Sequence, residues 1–277
     1  MAYKNILINS LKESFIAIWR NKLLFALLFA FQIVFFTALS SISYRYVPIM
    51  VEKEQAIEDY FSSLKLDEES VAASILQRKS VLGDDPLSIS RNFNELVRNF
   101  KIYSFNVFVL LIFFLSVSWG LTHKFLSKSS FRNPIIGILK IFAVLLVYLG
   151  AIYLFFLSLL DVSFVQLAGE NFKLLIKYVV FLFFSAVMAY FMLISIALLG
   201  KIELREIVQK TLAVGIKKIH YILPIFFVNI LLLMVSSALL FYLLEKNLLG
   251  LLLSIALLVS SFIFGRIFAI RVIGKLS

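Results

Sequence analysis

The sequence predicts an all-α fold, a polytopic membrane helix bundle with six transmembrane helices, amphipathic interfacial helices and a small helical extracytoplasmic insertion. Three observations predict it. Of 277 residues, 62% are hydrophobic and only 16% charged, where a soluble domain has about 45–50% apolar and about 25% charged residues. The apolar residues are gathered into runs of membrane-spanning length instead of being spread at a helical or strand period. The chain also holds 30 Phe and 11 Tyr, which suit a lipid-facing surface and interfacial anchoring. A soluble protein is excluded.

Apolar runs at Leu23–Ser43, Tyr103–Thr122, Ile141–Leu160, Tyr178–Leu199, Tyr221–Leu244 and Leu248–Gly265 approach or reach the roughly 20 residues that cross a hydrocarbon core of about 30 Å. The fifth and sixth are parted only by Glu245, Lys246 and Asn247, which predicts a tight hairpin. Pro134 to Lys140, ahead of the third run, is placed in the headgroup layer with Lys140 snorkelling. The first run starts only at Leu23 and is too long for the core of a cleavable signal peptide.

Orientation follows from the basic residues. The chain has 27 Lys and Arg against 16 Asp and Glu, a net charge of +11. With the N-terminus placed in the cytoplasm, the inside segments hold sixteen basic residues, Arg266, Arg271 and Lys275 among them, against Glu13, Glu203 and Glu206. The outside segments hold eleven basic and thirteen acidic residues. Short loops carry the orienting signal, and the loop 123–140 has four basic residues and no acidic one. Both termini are expected in the cytoplasm. The membrane is expected to be the cytoplasmic membrane of a prokaryote, whose AT-rich genomes suit the Lys, Ile, Phe and Leu bias.

Three regions follow. Residues 1–44 form an N-terminal amphipathic helix and the first span. Residues 45–101 form the extracytoplasmic insertion, and 102–277 carry the other five spans with a cytoplasmic interfacial helix at 202–219. In the insertion, Ile57, Tyr60, Phe61 and Leu64 recur at helical spacing, as do Val71, Ile75 and Leu76. Asp67 and Ser70 suggest a helix start, residues 83–86 a turn, and Ser88 to Phe100 a helix running into the second span. About 55 residues cannot bury a large core of their own, so this region is expected to lean on the membrane or a partner.

Residues 3–20 place Leu7, Leu11, Phe15 and Ile18 on one helical face. Residues 202–219 do the same with Leu204, Ile207, Val208, Leu212, Ile216 and Ile219. Both suit helices lying in the headgroup plane. Arg20, Lys22, Arg132, Lys217 and Lys218 are the expected basic anchors to anionic headgroups on the cytoplasmic side. A protein partner is expected at 45–101 or 202–219.

Similar junctions precede alternate spans: Trp19-Arg20-Asn21-Lys22, Phe131-Arg132-Asn133-Pro134 and Lys217-Lys218-Ile219-His220-Tyr221. The chain can therefore be divided into three units, each a basic interfacial segment, a span out and a span back. In this alternation it resembles six-span prokaryotic membrane families of unknown function, including the integral membrane domain attached to some glycerophosphodiester phosphodiesterases. The resemblance covers the membrane part and not 45–101, and implies a six-span bundle. The phosphodiesterase catalytic domain has no counterpart here, so none of its chemistry carries over.

Chemistry is sparse. With no Cys, disulfides, thiolate zinc sites and iron–sulfur clusters are ruled out. The two histidines, His123 and His220, have no carboxylate three or four residues on, so they fit interfacial residues better than a metal site. No nucleotide-binding or hydrolase motif occurs, and no nucleic-acid module. No catalytic residue, cofactor, metal or nucleic-acid partner is expected. No ionisable residue is predicted well inside a span, which disfavours transport through a buried carboxylate.

Two carboxamides stand out at depth, Gln32 in the first span and Asn229 in the fifth. Each needs a partner in hydrocarbon, either as interhelical contacts of about 0.6–2 kcal/mol or as the lining of a polar path. The favoured function is a multi-pass membrane scaffold, envelope or partner-binding protein without a catalytic site. The alternative is a transporter or permease subunit energised by a separate partner, and a membrane-embedded lipid enzyme ranks third.

Overall fold

The computed structural model describes residues 2–63, 87–126, 133–160, 171–244, 246 and 248–276. They form eight α-helices: α1 (Ala2–Arg20), α2 (Lys22–Ser63), α3 (Leu87–Leu126), α4 (Pro134–Leu160), α5 (Asn171–Leu198), α6 (Ile207–Lys217), α7 (Ile219–Leu243) and α8 (Leu248–Leu276), with a 3-10 turn at Leu204–Glu206. No strand occurs among the described residues. Six helices, α2, α3, α4, α5, α7 and α8, are long and apolar enough to cross a membrane. The chain is a multi-pass, all-helical membrane protein. Helices satisfy every internal backbone N–H and C=O within the segment, which lipid requires.

Two helices outrun their apolar runs. α2 continues past Ser43 to Ser63 and contains Pro48, and α3 begins at Leu87, well ahead of Tyr103. At 42 residues and 1.5 Å per residue, α2 is about 63 Å long, twice the hydrocarbon thickness. The described ends of the 45–101 region are therefore extensions of the first two spans. The spacing of Ile57, Tyr60 and Phe61 belongs to the last turns of α2. Leu64, Asp67, Ser70, Val71, Ile75 and Leu76 and the expected turn at 83–86 lie outside the described residues.

The chain divides into two compact units. The second comprises Thr37–Leu110 and Tyr153–Phe181. Here Lys53 pairs with Glu95 at 2.9 Å, Ser43 meets Tyr103 at 3.2 Å, and Asn106 donates to the Tyr46 hydroxyl at 3.3 Å. These tie α2 to α3. Rings tie α3 to α4, with Phe108 stacked on Tyr153 at 4.4 Å and Phe100 edge-on to Phe156 at 5.9 Å.

The first unit comprises Met1–Phe36, Leu111–Ile152 and Leu182–Ser277, and α8 is its hub. The N-terminal half of α8 exposes Leu248, Leu249, Leu252 and Leu253. Its C-terminal half buries Ile263, Phe264, Ile267, Phe268, Ile270, Val272 and Ile273 and packs chiefly on α7 and α1. α1 meets it through small residues, since Ser10, Ser14 and Ala17 are buried at helical spacing. Leu7, Leu11 and Ile18 pack beside that seam. Phe15, expected on the same face, is exposed and lays its ring 4.9 Å from that of Phe264.

α6 divides the face expected of it, burying Ile207 and exposing the rest. Its buried seam is Ile207, Thr211 and Gly215, fixed by a Ser195–Thr211 hydroxyl contact of 3.0 Å and by Tyr190 donating to the Gly215 carbonyl at 2.8 Å. The apolar stripe of Val208, Leu212, Ile216 and Ile219 is exposed. In a soluble protein that stripe would face the core; here it turns outward.

Close approach rests on some glycines and not on others. A Cβ at Gly120 would lie 2.5 Å from Ile138 Cγ1, whereas one at Gly150 would meet nothing within 4 Å. Gly120→Ala is expected to destabilise the protein by about 1–3 kcal/mol through overpacking. Gly150→Ala should be neutral or stabilising by up to about 1 kcal/mol, from helix propensity alone. Reversible unfolding in mixed micelles measures both, and equal effects would contradict the packing described.

Candidate functional site

Arg266 lies in α8 and is 8% exposed. This corrects the expected distribution of charge, which put Arg266 in a cytoplasmic segment and left the bundle without a buried ion. The apolar run breaks at Gly265-Arg266, so run length ends the span there. The helix, however, continues through the largely apolar residues 267–276, which bury the charge. Arg266 stands ten residues from the end of α8, about 15 Å. Gln32 stands ten residues from the start of α2, at an equal depth if both helix ends meet the same interface.

Gln32 and Arg266 are partners. The Arg266 Nη2 donates to Gln32 Oε1 at 3.5 Å, and its Nε donates to the Phe262 carbonyl at 3.3 Å. Phe262 is one turn back along α8, so the side chain reaches away from the nearer helix end. A snorkelling arginine would do the opposite. The guanidinium is held in the bundle.

Asn229, the other sequence-selected carboxamide, meets the adjacent residue. Its Nδ2 donates to the Gly265 carbonyl at 3.4 Å. Gly265 makes the approach possible, because a Cβ there would lie 3.0 Å from Asn229 Oδ1. That Oδ1 is buried without a hydrogen-bond partner. Further along α8, Ser261 meets Ser236 at 2.7 Å. The structure thus brings Gln32 and Asn229 not to each other but to consecutive residues of α8. A cavity of about 130 Å³ lies beside them, lined by Trp119, Leu193, Asn229, Leu233, Ser261, Phe262, Gly265 and Arg266.

Near the C-terminal end of α8 lies a second polar feature that the sequence did not single out. Glu13 accepts from Arg271 Nη1 and Lys275 Nζ, each at 2.8 Å. Those two cations, Lys275 foremost, hold the Glu13 carboxyl below its ordinary range. Lys201 donates to the Gly274 carbonyl and Lys218 to the Leu276 carbonyl, capping a helix end that carries partial negative charge. A cleft of about 300 Å³ is lined by Glu13, His123, Lys201, Arg271 and Lys275 among others.

The predicted anchors fare differently. Lys22 lies over the exposed Trp19 ring at 4.2 Å. Arg20 and Lys217 are exposed, while Lys218 is partly turned inward to cap α8. Arg132 lies outside the described residues. His123 is buried and bonded through Nε2 to the Ile196 carbonyl at 2.8 Å, whereas His220 is exposed with its ring against Tyr221 at 3.9 Å. Among the described residues no three His, Cys, Asp or Glu side chains gather where they could hold a metal ion.

The arrangement offers two chemistries: an inward-held cation with amide neighbours, and a basic cleft at the end of the same helix. Comparison with known proteins finds no matching family model, no similar curated protein and no similar solved structure.

Proposed function

We propose that this chain is a non-catalytic scaffold or partner-binding protein of the cytoplasmic membrane, with both termini in the cytoplasm. In this reading its α1/α6 face rests on the anionic headgroups of the inner leaflet. The observation that carries the reading is the mounting of α6. Hydrogen bonds and a small-residue seam hold it, so that Val208, Leu212 and Ile216 stay exposed while Lys210 and Lys217 on the same helix are exposed too. An exposed apolar stripe with basic neighbours is what an interfacial helix needs. Trp19, with Lys22 over its ring from the start of α2, gives the end of α1 the same character. A protein partner would then meet 202–219, presented at the membrane surface.

The full chain in nanodiscs provides the test. Adding phosphatidylglycerol to phosphatidylcholine should raise the melting temperature, with each basic contact worth about 1 kcal/mol near an anionic surface. The rise should shrink in a Lys210→Gln/Lys217→Gln variant. A melting temperature indifferent to lipid charge would overturn the reading. The buried Arg266 and its cavity favour a second reading, a transporter or permease subunit energised by a separate partner, because ionisable groups inside spans mark ion or substrate paths.

A further inference from the structure

We propose that Arg266, positioned by Gln32, and Asn229 form a binding site for a small phosphate-class oxyanion within the helix bundle. The charge of Arg266 has no counter-ion in the spans. The sequence carries no Asp or Glu in 14–51, 96–160, 171–202, 207–244 or 246–277. Arginine does not shed its proton to avoid burial, and a buried charge without an opposite partner is strongly unfavourable. Gln32 and the Phe262 carbonyl supply only dipoles. Among the described residues no carboxylate pairs with Arg266, so the site favours an opposite charge supplied from outside the chain.

The surroundings narrow its chemistry. Asn229 Oδ1 is an acceptor without a donor, covered in this conformation, on a residue that lines the same cavity as Arg266. A bare halide would answer the guanidinium and leave Oδ1 unmet. A phosphate that keeps one P–OH, or one with a hydroxyl beside it, offers acceptor oxygens to Arg266 and an O–H to Asn229. Arginine is also the side chain best matched to phosphate geometry. The cavity of about 130 Å³ holds on the order of four water volumes. That volume suits one tetrahedral oxyanion.

Supply is built into the same helix. Arg271 and Lys275 line the cleft at the end of α8, about 7.5 Å and 13.5 Å beyond Arg266 along the axis. Two cations against the single Glu13 carboxylate leave a net positive charge, which draws anions toward that end of the helix. The phosphate could be free in solution or belong to a lipid headgroup such as phosphoglycerol. The depth of Arg266 favours the free ion, and the experiment separates the two.

Trp119 lines the cavity, and the chain has only two tryptophans, so Trp19→Phe leaves a reporter at the site. The full chain carrying this change, in phosphatidylcholine nanodiscs, should show a saturable change in Trp119 emission on titration with inorganic phosphate. Sulfate, which has no O–H near neutral pH, should bind at least tenfold more weakly. Chloride should give no saturable change. Arg266→Met should abolish the response and Asn229→Leu should weaken it at least tenfold. If the source is a lipid, the changed emission will appear in phosphatidylglycerol discs without added phosphate and vanish with Arg266→Met. No saturable response in either lipid, equal binding of sulfate and phosphate, or a response that survives Arg266→Met would overturn the proposal. The sulfate comparison needs no change at the site, so misfolding of a site variant cannot rescue it. None of these readouts depends on the α6–lipid contact, so this site and the scaffold reading fail separately.

Discussion

Phe268→Ala is expected to lower the unfolding free energy by about 3–5 kcal/mol, the cost of deleting a well-packed aromatic ring. Phe268 is fully buried in the main cluster, and its ring lies parallel to that of Phe264 at a centroid distance of 6.1 Å. In lipid the loss is chiefly one of packing, because hydrocarbon on either side of the comparison is equally apolar. Leu252→Ala, on the exposed half of the same helix, should change stability by no more than about 0.5 kcal/mol. Unfolding in mixed micelles by sodium dodecyl sulfate measures both. Similar losses at the two positions would mean that α8 is not the hub described here.

The second large effect concerns Gln32 and Arg266, and its sign is the informative part. Gln32→Leu takes away the side-chain acceptor of a buried guanidinium, which should cost about 1.5–3 kcal/mol, as for hydrogen bonds to charged groups. Arg266→Met removes the charge itself while roughly keeping the volume. Replacing buried ions in this way is often neutral or stabilising by about 1–4 kcal/mol. The double variant should resemble Arg266→Met alone, with a coupling of about 0.5–3 kcal/mol for groups in contact. Strict additivity would show that the 3.5 Å contact carries no energy. A stabilising Arg266→Met would fit a residue kept for binding at the expense of stability.

The helices were legible because lipid imposes one rule on backbone and side chain together: long apolar runs become spans. Gln32 and Asn229 were legible for the same reason, as carboxamides that hydrocarbon does not solvate. Their partners were not, since Arg266 is 234 residues from Gln32 and spacing says nothing at that range. Arg266 itself was misassigned because a span was closed at its first charge, although Ile267 to Leu276 resume an apolar pattern.

The α1 seam escaped notice because amphipathic reading follows large side chains, and Ser10, Ser14 and Ala17 are small. For α6 the outward stripe was legible, but Ile207, read as part of it, is buried instead. Leu and Ile suit lipid and protein core equally, so periodicity alone cannot distinguish them. Gly120 and Gly215 meet a neighbour across a tight interface, whereas Gly150 does not; composition gives no sign of the difference. The α2 extension was hidden by Arg45 and the charges after it, at which the span was closed although helical spacing persisted through Phe61; the helix from Ser88 into the second span was legible, and α3 begins at Leu87.

The proposed orientation puts the basic face, and with it the Glu13–Arg271–Lys275 cleft, in the cytoplasm. Because the chain contains no Cys, single-cysteine variants report without background. Lys210→Cys and Glu58→Cys both replace exposed residues and can be treated, in intact cells and in opened membranes, with a membrane-impermeant thiol reagent. Glu58→Cys should react in intact cells and Lys210→Cys only after the membrane is opened. Labelling of Lys210→Cys in intact cells would contradict the orientation, and the inner-leaflet role of α1 and α6 would fall with it.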